Sequence, residues 1–391
     1  MKRLVIFALG LSPPGTMGGN SKIALETARC LSDSLEVHFV LPQEKLKTLQ
    51  NAIGLPPKLH IHTLPPFNRD DKRHPIAVLR HYAEPTRTLF EKLAIGPDDV
   101  VFAISDFHLD VIPLYHLQPR FHFQWVPSVF LFVPFLTENI AKGYGFPPIK
   151  YLVYWFYQRT LFALMKRRAT GFVVTNESDF SHFPSRFSGK LFAYYGGVNI
   201  EQIPTVTNEE KRYDVVFCSR LHPQKGIAGF LDVWKRVLAS QPQAKLAVIG
   251  NGSPNYESFL RQKAQRLAID QSIDWLGYVN GPTKFQIYAQ SRIFVHPTVF
   301  DNNGMVAAEA LCTGLPVVMQ DLPSLRKVYT TGCVKIPFGD TAAYAKAIVD
   351  LLTRPDIFAS TAPSTSDITS LRGKWRWESR AEHFLGFLRR L

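Results

Sequence analysis

The sequence predicts an α/β protein built of two doubly wound, Rossmann-like parallel-sheet domains in series. Three observations predict it. Apolar runs of strand length alternate with helical patterns, as in sheets covered on both faces. The alternation stops over residues 200–212 and then restarts. The chain has 391 residues, which suits two domains at roughly 100 to 200 residues each.

Leu4 to Leu9 is a continuous apolar run, Ser12 to Gly19 a Pro- and Gly-rich loop, and Ile23, Ala24, Ala28 and Leu31 follow at helical spacing. Val37 to Leu41 reads as the second strand. Met1-Lys2-Arg3 before an apolar run resembles a short signal peptide, but no small-x-small cleavage site follows, so a buried first strand is expected. Val100 to Ile104, Phe121 to Trp125, Gly171 to Thr175 and Leu191 to Tyr195 repeat the buried-strand signal. Ile200 to Arg212 is polar and aperiodic, a linker. Beyond it come strand Asp214 to Ser219, helix Ala228 to Ser240, strand Lys245 to Gly250, helix Tyr256 to Leu267 and strand Ile273 to Leu276. Helix Pro282 to Gln290, strand Ile293 to His296, helix Gly304 to Thr313 and strand Pro316 to Gln320 complete the pattern. Two such domains, 1–199 and 213–374, are expected to face a central cleft at the carboxyl ends of their strands.

A hydrophobic content of 46%, a charged content of 20% and a mean hydropathy of −0.04 exclude wholesale disorder. Lys and Arg number 45 against 32 Asp and Glu, a net charge of +13. The partner classes this opens are nucleic acid, an anionic membrane surface and phosphorylated substrates. Cys30, Cys218, Cys312 and Cys333 lie far apart, with no CxxC pair and no clustering with histidine. Neither a disulfide scaffold nor a metal site is indicated, and a reducing compartment fits. No segment reaches about 18 charge-free apolar residues. Val126 to Leu136 is broken by Pro127 and Pro134, and Tyr151 to Met165 by Gln158 and Arg159.

Two constellations carry chemistry. Cys218 to Gly226 follows a strand and opens a helix, which fixes Arg220 and Lys225 where a diphosphate could meet two cations and free amides. His296 to Ala310 ends a strand, crosses a loop and enters a helix that Asn302 or Asn303 can cap, leaving the amides near Gly304, Met305 and Val306 facing an anion. Glu309 sits among apolar residues on that helix. A buried carboxylate needs donors, either ribose hydroxyls or a nearby cation.

These residues resemble the nucleotide-binding half of the family 4 (GT4-like) retaining glycosyltransferases of GT-B fold. Arg220 with Lys225-Gly226, Asp301 followed by seven residues and Glu309, and Gly314-Leu315-Pro316-Val317-Val318 carry the resemblance. It extends to Gly18-Gly19, to Gly196-Gly197-Val198-Asn199 and to Leu276-Gly277-Tyr278-Val279. Trp375 to Leu391 looks like the final helix that crosses back onto the first domain, completing it with 375–391.

The resemblance implies a retaining, metal-independent hexosyl transfer from a nucleoside diphosphate sugar, a UDP- or GDP-sugar, to an acceptor hydroxyl in envelope polysaccharide or glycolipid synthesis. No cofactor would be bound permanently. Arg220 and Lys225 would neutralise the leaving diphosphate, and the departing phosphate would help deprotonate the acceptor. Asp301 would meet the sugar hydroxyls and Glu309 the ribose, with Asn303, Gly304, Met305 and Val306 around the donor. The backbone of Gly277, Tyr278 and Val279 would touch the base, and Gly18 and Gly19 would let the first loop close on the phosphates. Asp301 stands where the family usually has Glu, so the sugar contact shifts by about an ångström or passes through water. The family's first-domain histidine is sought at the end of the strand Pro119 to Pro127, where His122 is the only histidine; His108, after the preceding strand, is a second candidate. No pair of carboxylates is seen to converge in the first domain. Acceptor specificity is assigned to loops such as Phe67 to Pro75 and Phe132 to Pro148.

The positive charge concentrates in Ile149 to Arg168, which holds five cations, no acid and a run of aromatics. It reads either as a core helix with a solvated basic end or as a peripheral contact with an anionic membrane. A carbohydrate or lipid-linked acceptor and a cytoplasmic location, at the inner face of the membrane, follow from the resemblance. The alternatives are a nucleotide-sugar epimerase on the same fold and a basic nucleic-acid or membrane-binding module; dispersed cations without a nucleic-acid motif speak against nucleic acid.

Overall fold

A computed structural model describes residues 1–12, 18–54, 56–66, 75–135, 148–205 and 210–391. Pro13 to Met17 of the first loop, most of the loops Phe67 to Pro75 and Phe132 to Pro148 to which acceptor specificity is assigned, and residues 206–209 lie outside it. The described residues form two compact units. One draws on Met1–Val133, Val153–Gly196 and Trp377–Leu391, the other on Pro134–Leu152 and Gly197–Arg376.

The first unit contains strands β1 (Arg3–Phe7), β2 (Glu36–Pro42), β3 (Leu59–Leu64), β4 (Val100–Ala103), β5 (Gln124–Val129), β6 (Phe172–Val174) and β7 (Leu191–Ala193). Its helices are α1 (Gly19–Leu31), α2 (Leu46–Ile53), α3 (Pro75–Lys92), α4 (His108–Phe121) and most of α5 (Pro148–Arg168). The strands make one parallel sheet in the order β3-β2-β1-β4-β5-β6-β7. The run Leu4 to Phe7 is wholly buried at its centre, which is why it reads as uninterrupted apolar sequence. Arg3, at the strand's start, is buried too, and Asp99 meets its guanidinium at 2.7 and 2.9 Å.

The second unit contains β8 (Tyr213–Cys218), α6 (Ile227–Ser240), β9 (Leu246–Ile249), α7 (Pro254–Arg266), β10 (Ile273–Gly277), α8 (Gly281–Ala289), β11 (Ser291–His296) and α9 (Met305–Cys312). Strand β12 (Val317–Gln320), helix α10 (Pro323–Arg326), strand β13 (Cys333–Ile336) and helices α11 (Thr341–Thr353), α12 (Pro355–Thr361) and α13 (Thr365–Trp375) follow. The parallel order is β10-β9-β8-β11-β12-β13. The expected elements of this half fall within two residues of their observed bounds, because buried parallel strands and Gly-bounded loops leave a plain pattern.

The final helix expected over 375–391 is two pieces. Trp375 ends α13, Arg376 is extended, and α14 runs Trp377–Leu388 in the first unit. There Phe384 packs on Phe102 and Tyr194, both at 5.1 Å between centroids, and Glu378 pairs with Arg29 of α1 at 3.0 Å.

The strand expected over Phe121 to Trp125 is misplaced. Helix α4 runs through Phe121 in spite of Pro113 and Pro119, His122 caps it in the left-handed conformation at φ 57, and β5 begins at Gln124. The alternation of Phe121, Phe123 and Trp125 imitates a strand, yet Phe121 and Phe123 straddle Phe90 of α3, each at 5.6 Å. Edge strand β3 escapes sequence reading because His60, His62 and Thr63 interrupt its apolar character.

Candidate active site

Strands β8 and β11 are neighbours, so the loops that leave their carboxyl ends lie side by side. The backbone N–H of Val299 donates to the Gln224 carbonyl at 2.9 Å, and Gln224 Nε2 donates to the Phe300 carbonyl at 2.8 Å. Gly226, at φ 72, completes the join: a Cβ there would lie 1.8 Å from the Pro297 carbonyl oxygen. Zipping these loops together sets Lys225 Nζ 2.7 Å from Asp301 Oδ2.

The Asp301 carboxylate organises the second loop. Its Oδ1 accepts the backbone N–H groups of Asn302, Asn303 and Gly304 at 2.9, 3.1 and 3.3 Å. Neither Asn302 nor Asn303 caps α9, which starts behind Gly304 at φ 61 with no side-chain cap; Asp301 instead fixes the loop that leads into it. Burial would raise the Asp301 pKa, but Lys225 and His296 hold it well below the ordinary carboxylate value. The buried His296 is pushed down to about 4 by desolvation, so it is neutral at pH 7. Tyr329 anchors the loop from below, its hydroxyl within 2.8 Å of the carbonyls of Asn303 and Gly304.

Around this anchor stand groups suited to an anion. The N–H groups of Met305 and Val306 open α9 and have no backbone partner among the described residues. Asn303 Oδ1 is buried without a hydrogen-bond partner among the described residues. Arg220 is exposed at the end of β8 and makes no ion pair among the described residues. His222, at the turn between Arg220 and Lys225, accepts the Gln224 N–H through Nδ1, and burial followed by the two cations lowers its pKa to about 4.

Glu309, on the next turn of α9, is buried, and Lys284 of α8 lies 2.7 Å from its Oε1. Of the two partners the sequence left open, a cation is present in the fold. Lys284 was not singled out in the sequence, where it is one polar residue in a helical pattern. Its burial would lower its pKa, but Glu309 raises it, so Lys284 keeps its charge. Gly277, at φ 68, ends edge strand β10, and Tyr278 is half exposed beside it. In the first unit Gly18 precedes α1 and Gly19 opens it.

His122 is not at the carboxyl end of a strand. As the cap of α4 it lies before β5, at the amino end of the sheet, because the chain turns there from helix into strand. The titratable groups at the carboxyl end of β4 are instead Asp106, His108 and Asp110, three residues of the loop and first helical turn. His108 Nδ1 meets the Tyr157 hydroxyl. Asp106 Oδ2 accepts Gln158 Nε2 at 2.7 Å, and burial pushes its carboxyl up to about 6. Asp110 Oδ1 accepts the N–H groups of Leu9 and Gly10, Ser105 donates to its Oδ2, and burial raises it to about 7. Both carboxylates stand just after β4, each held by its own set of partners. Their signal in sequence was Ser105-Asp106-Phe107-His108-Leu109-Asp110 directly after an apolar strand.

Two parallel Rossmann-like sheets of seven and six strands are the GT-B architecture. Residues 212–354 match the family model described as Glycosyl transferases group 1. A phosphatidyl-myo-inositol mannosyltransferase of Mycobacterium leprae is 33% identical over 142 residues, 35% of this chain and 37% of that protein. A GDP-mannose-dependent monoacylated alpha-(1-6)-phosphatidylinositol monomannoside mannosyltransferase of Corynebacterium glutamicum is 26% identical over 232 residues, 54% and 56% of the two chains. The chain thus spans about a third to just over half the length of these curated relatives. Among solved structures, sucrose-phosphate synthase of Thermosynechococcus elongatus superposes with a TM-score of 0.77 at 16% identity, over 100% of this chain and 99% of that one. Anabaena HepE, in complex with UDP and glucose, gives 0.73 at 17% identity over 100% of both.

Proposed function

We propose that the protein is a retaining glycosyltransferase that moves a hexosyl group from a UDP- or GDP-sugar to an acceptor hydroxyl on a carbohydrate or lipid-linked acceptor. The observation that carries this reading is the Lys225–Asp301 pair beside Arg220 and the α9 amides. One ammonium proton of Lys225 serves Asp301, which leaves two for phosphate oxygens. With Arg220 it supplies the positive charge that a diphosphate leaving group needs as the glycosidic bond breaks, a role metal ions fill in other transferases.

Donor binding falls to residues 213–374 and acceptor binding to 1–199. Asp301, fixed by three amides and Lys225, presents its carboxylate edge to sugar hydroxyls, and Glu309 accepts from the ribose while Lys284 keeps it charged. Asn303 Oδ1 offers a further acceptor. The bond from the anomeric carbon to the phosphate oxygen breaks, the bond to the acceptor oxygen forms on the same face, and the acceptor proton passes to the departing phosphate. Relatives named for GDP-mannose and neighbours solved with UDP support the donor class, and mannosyltransferases named for phosphatidylinositol support a glycolipid or envelope polysaccharide product. Such chemistry belongs in the cytoplasm at the inner face of the membrane.

Titration calorimetry with UDP, GDP and ADP tests this. UDP or GDP binds, and Lys225→Ala loses the heat; equal indifference to all three nucleotides would overturn the proposal. A nucleotide-sugar epimerase is the second reading, favoured by Asp106 and His108 at the carboxyl end of β4. Conversion of the donor to an epimer without any acceptor would select it.

A further inference from the structure

Helix α5 holds no acid, and one row of its residues is exposed along the whole length. Ile149, Val153, Phe156, Thr160, Ala163 and Arg167 recur every three or four positions and so share a face. Its first three members are 67%, 63% and 58% exposed, although most large apolar side chains of the chain are buried. Such a contiguous apolar row on a soluble surface marks an interaction site.

The row ends in charge. Arg167, with Lys166, Arg186 and Lys190, lines an open cavity of about 450 Å³ beside Thr170 and Phe187. Among the described residues none of these four cations has a carboxylate within ion-pair distance. Arg186 is held in place by donating to the Lys166 carbonyl at 2.7 Å and lying over Phe187, and the Lys166 ammonium sits 4.6 Å from the Phe162 ring. Arg168 points elsewhere, stacked on Tyr115 at 3.9 Å. The cavity is at the amino ends of β6 and β7, since Thr170 precedes one strand and Lys190 the other. Ligands of doubly wound sheets occupy the carboxyl ends, so these cations are not part of that site.

We propose that this face of α5 docks on an anionic lipid bilayer, with Val153 and Phe156 entering the interfacial layer and the four cations taking headgroup phosphates. A free phosphate would use the cations but give the apolar row no partner; a bilayer satisfies both, and a helix lying in the interface needs that combination. The proposal rests on the transferase reading only for placing the protein beside a membrane.

Cosedimentation of the full chain with vesicles tests it, comparing phosphatidylcholine alone with phosphatidylcholine plus phosphatidylglycerol. The protein binds the second and not the first, and salt weakens binding. Arg186→Glu and Lys190→Glu each lower the partition coefficient by about fivefold or more, and Phe156→Asp lowers it at every salt concentration. Circular dichroism confirms that each variant is folded. Failure to bind either vesicle, equal binding to both, or binding that the variants retain overturns the proposal. So does saturable binding of inorganic phosphate to the cavity without vesicle binding. Nucleotide calorimetry on the same variants stays at the wild-type value. If wild type binds vesicles but no nucleotide, the transferase reading fails and the docking surface stands.

Discussion

Lys284 on α8 and Glu309 on α9 form a buried ion pair at 2.7 Å, with side chains only 12% and 4% exposed. Both charges were removed from water on folding, so each depends on the other. Replacing Lys284 with Met removes the cation facing the buried Glu309 carboxyl, and the fold loses about 3 to 5 kcal/mol. Removing both charges, as Lys284→Met with Glu309→Gln, recovers most of that loss in denaturant unfolding, while nucleotide affinity stays low if Glu309 is the ribose acceptor proposed above. A non-additive double-mutant cycle checks the pairing.

Lys225→Ala removes the cation that faces Asp301 and, in the proposed reaction, the leaving group. Turnover is expected to fall by about a hundredfold or more, the loss typical when one donor to a developing anion is deleted. The three amides on Asp301 Oδ1 hold the loop, so the circular dichroism spectrum is unchanged. Wild-type turnover in this variant would remove Lys225 from the reaction.

Gly226→Ala places a Cβ against the Pro297 carbonyl at a φ that L residues avoid. The loops after β8 and β11 must part. A clear drop in Tm accompanies a loss of nucleotide binding, whereas Gly229→Ala, with open space around its added Cβ, changes neither.

The pH dependence has a definite sign. His62, His222 and His296 have folded pKa values of about 4, below the unfolded 6.5, so the unfolded chain binds more protons between those values. Their contribution is complete above pH 6.5 and is lost as pH falls toward 4. Asp106 and Asp110, raised to about 6 and 7, act oppositely: their contribution is present below 3.8 and is lost as pH rises through those values. Three histidines outnumber two acids, so Tm falls on acidification from pH 6.5 to 4.

Asp110→Asn isolates one of these effects. Asparagine can keep Oδ1 on the N–H groups of Leu9 and Gly10 and donate from Nδ2 to Ser105. The variant gains Tm over wild type at pH 8, where the native carboxylate is ionised in a buried site, and the gain disappears at pH 5.

The sequence by itself determined the two-sheet architecture and the second-half segments that carry Arg220, Lys225, Asp301 and Glu309. Buried parallel strands are continuous apolar runs, and glycines such as Gly226 and Gly250, where a Cβ would strike backbone, mark the loops between them. Only the tertiary structure decided how these side chains are used. Asp301 became the organiser of its own loop because three amides converge on one oxygen, a matter of backbone path. Lys284 became Glu309's partner because the fold brings its ammonium within 2.7 Å of that carboxylate, and Asp106 and Asp110 acquired raised pKa values because burial withdrew water from them. His122 was lost to the amino end of its sheet because a helix, not a strand, carries the chain through Phe121. Local periodicity records what a segment buries; which polar group meets which is set by elements distant in sequence.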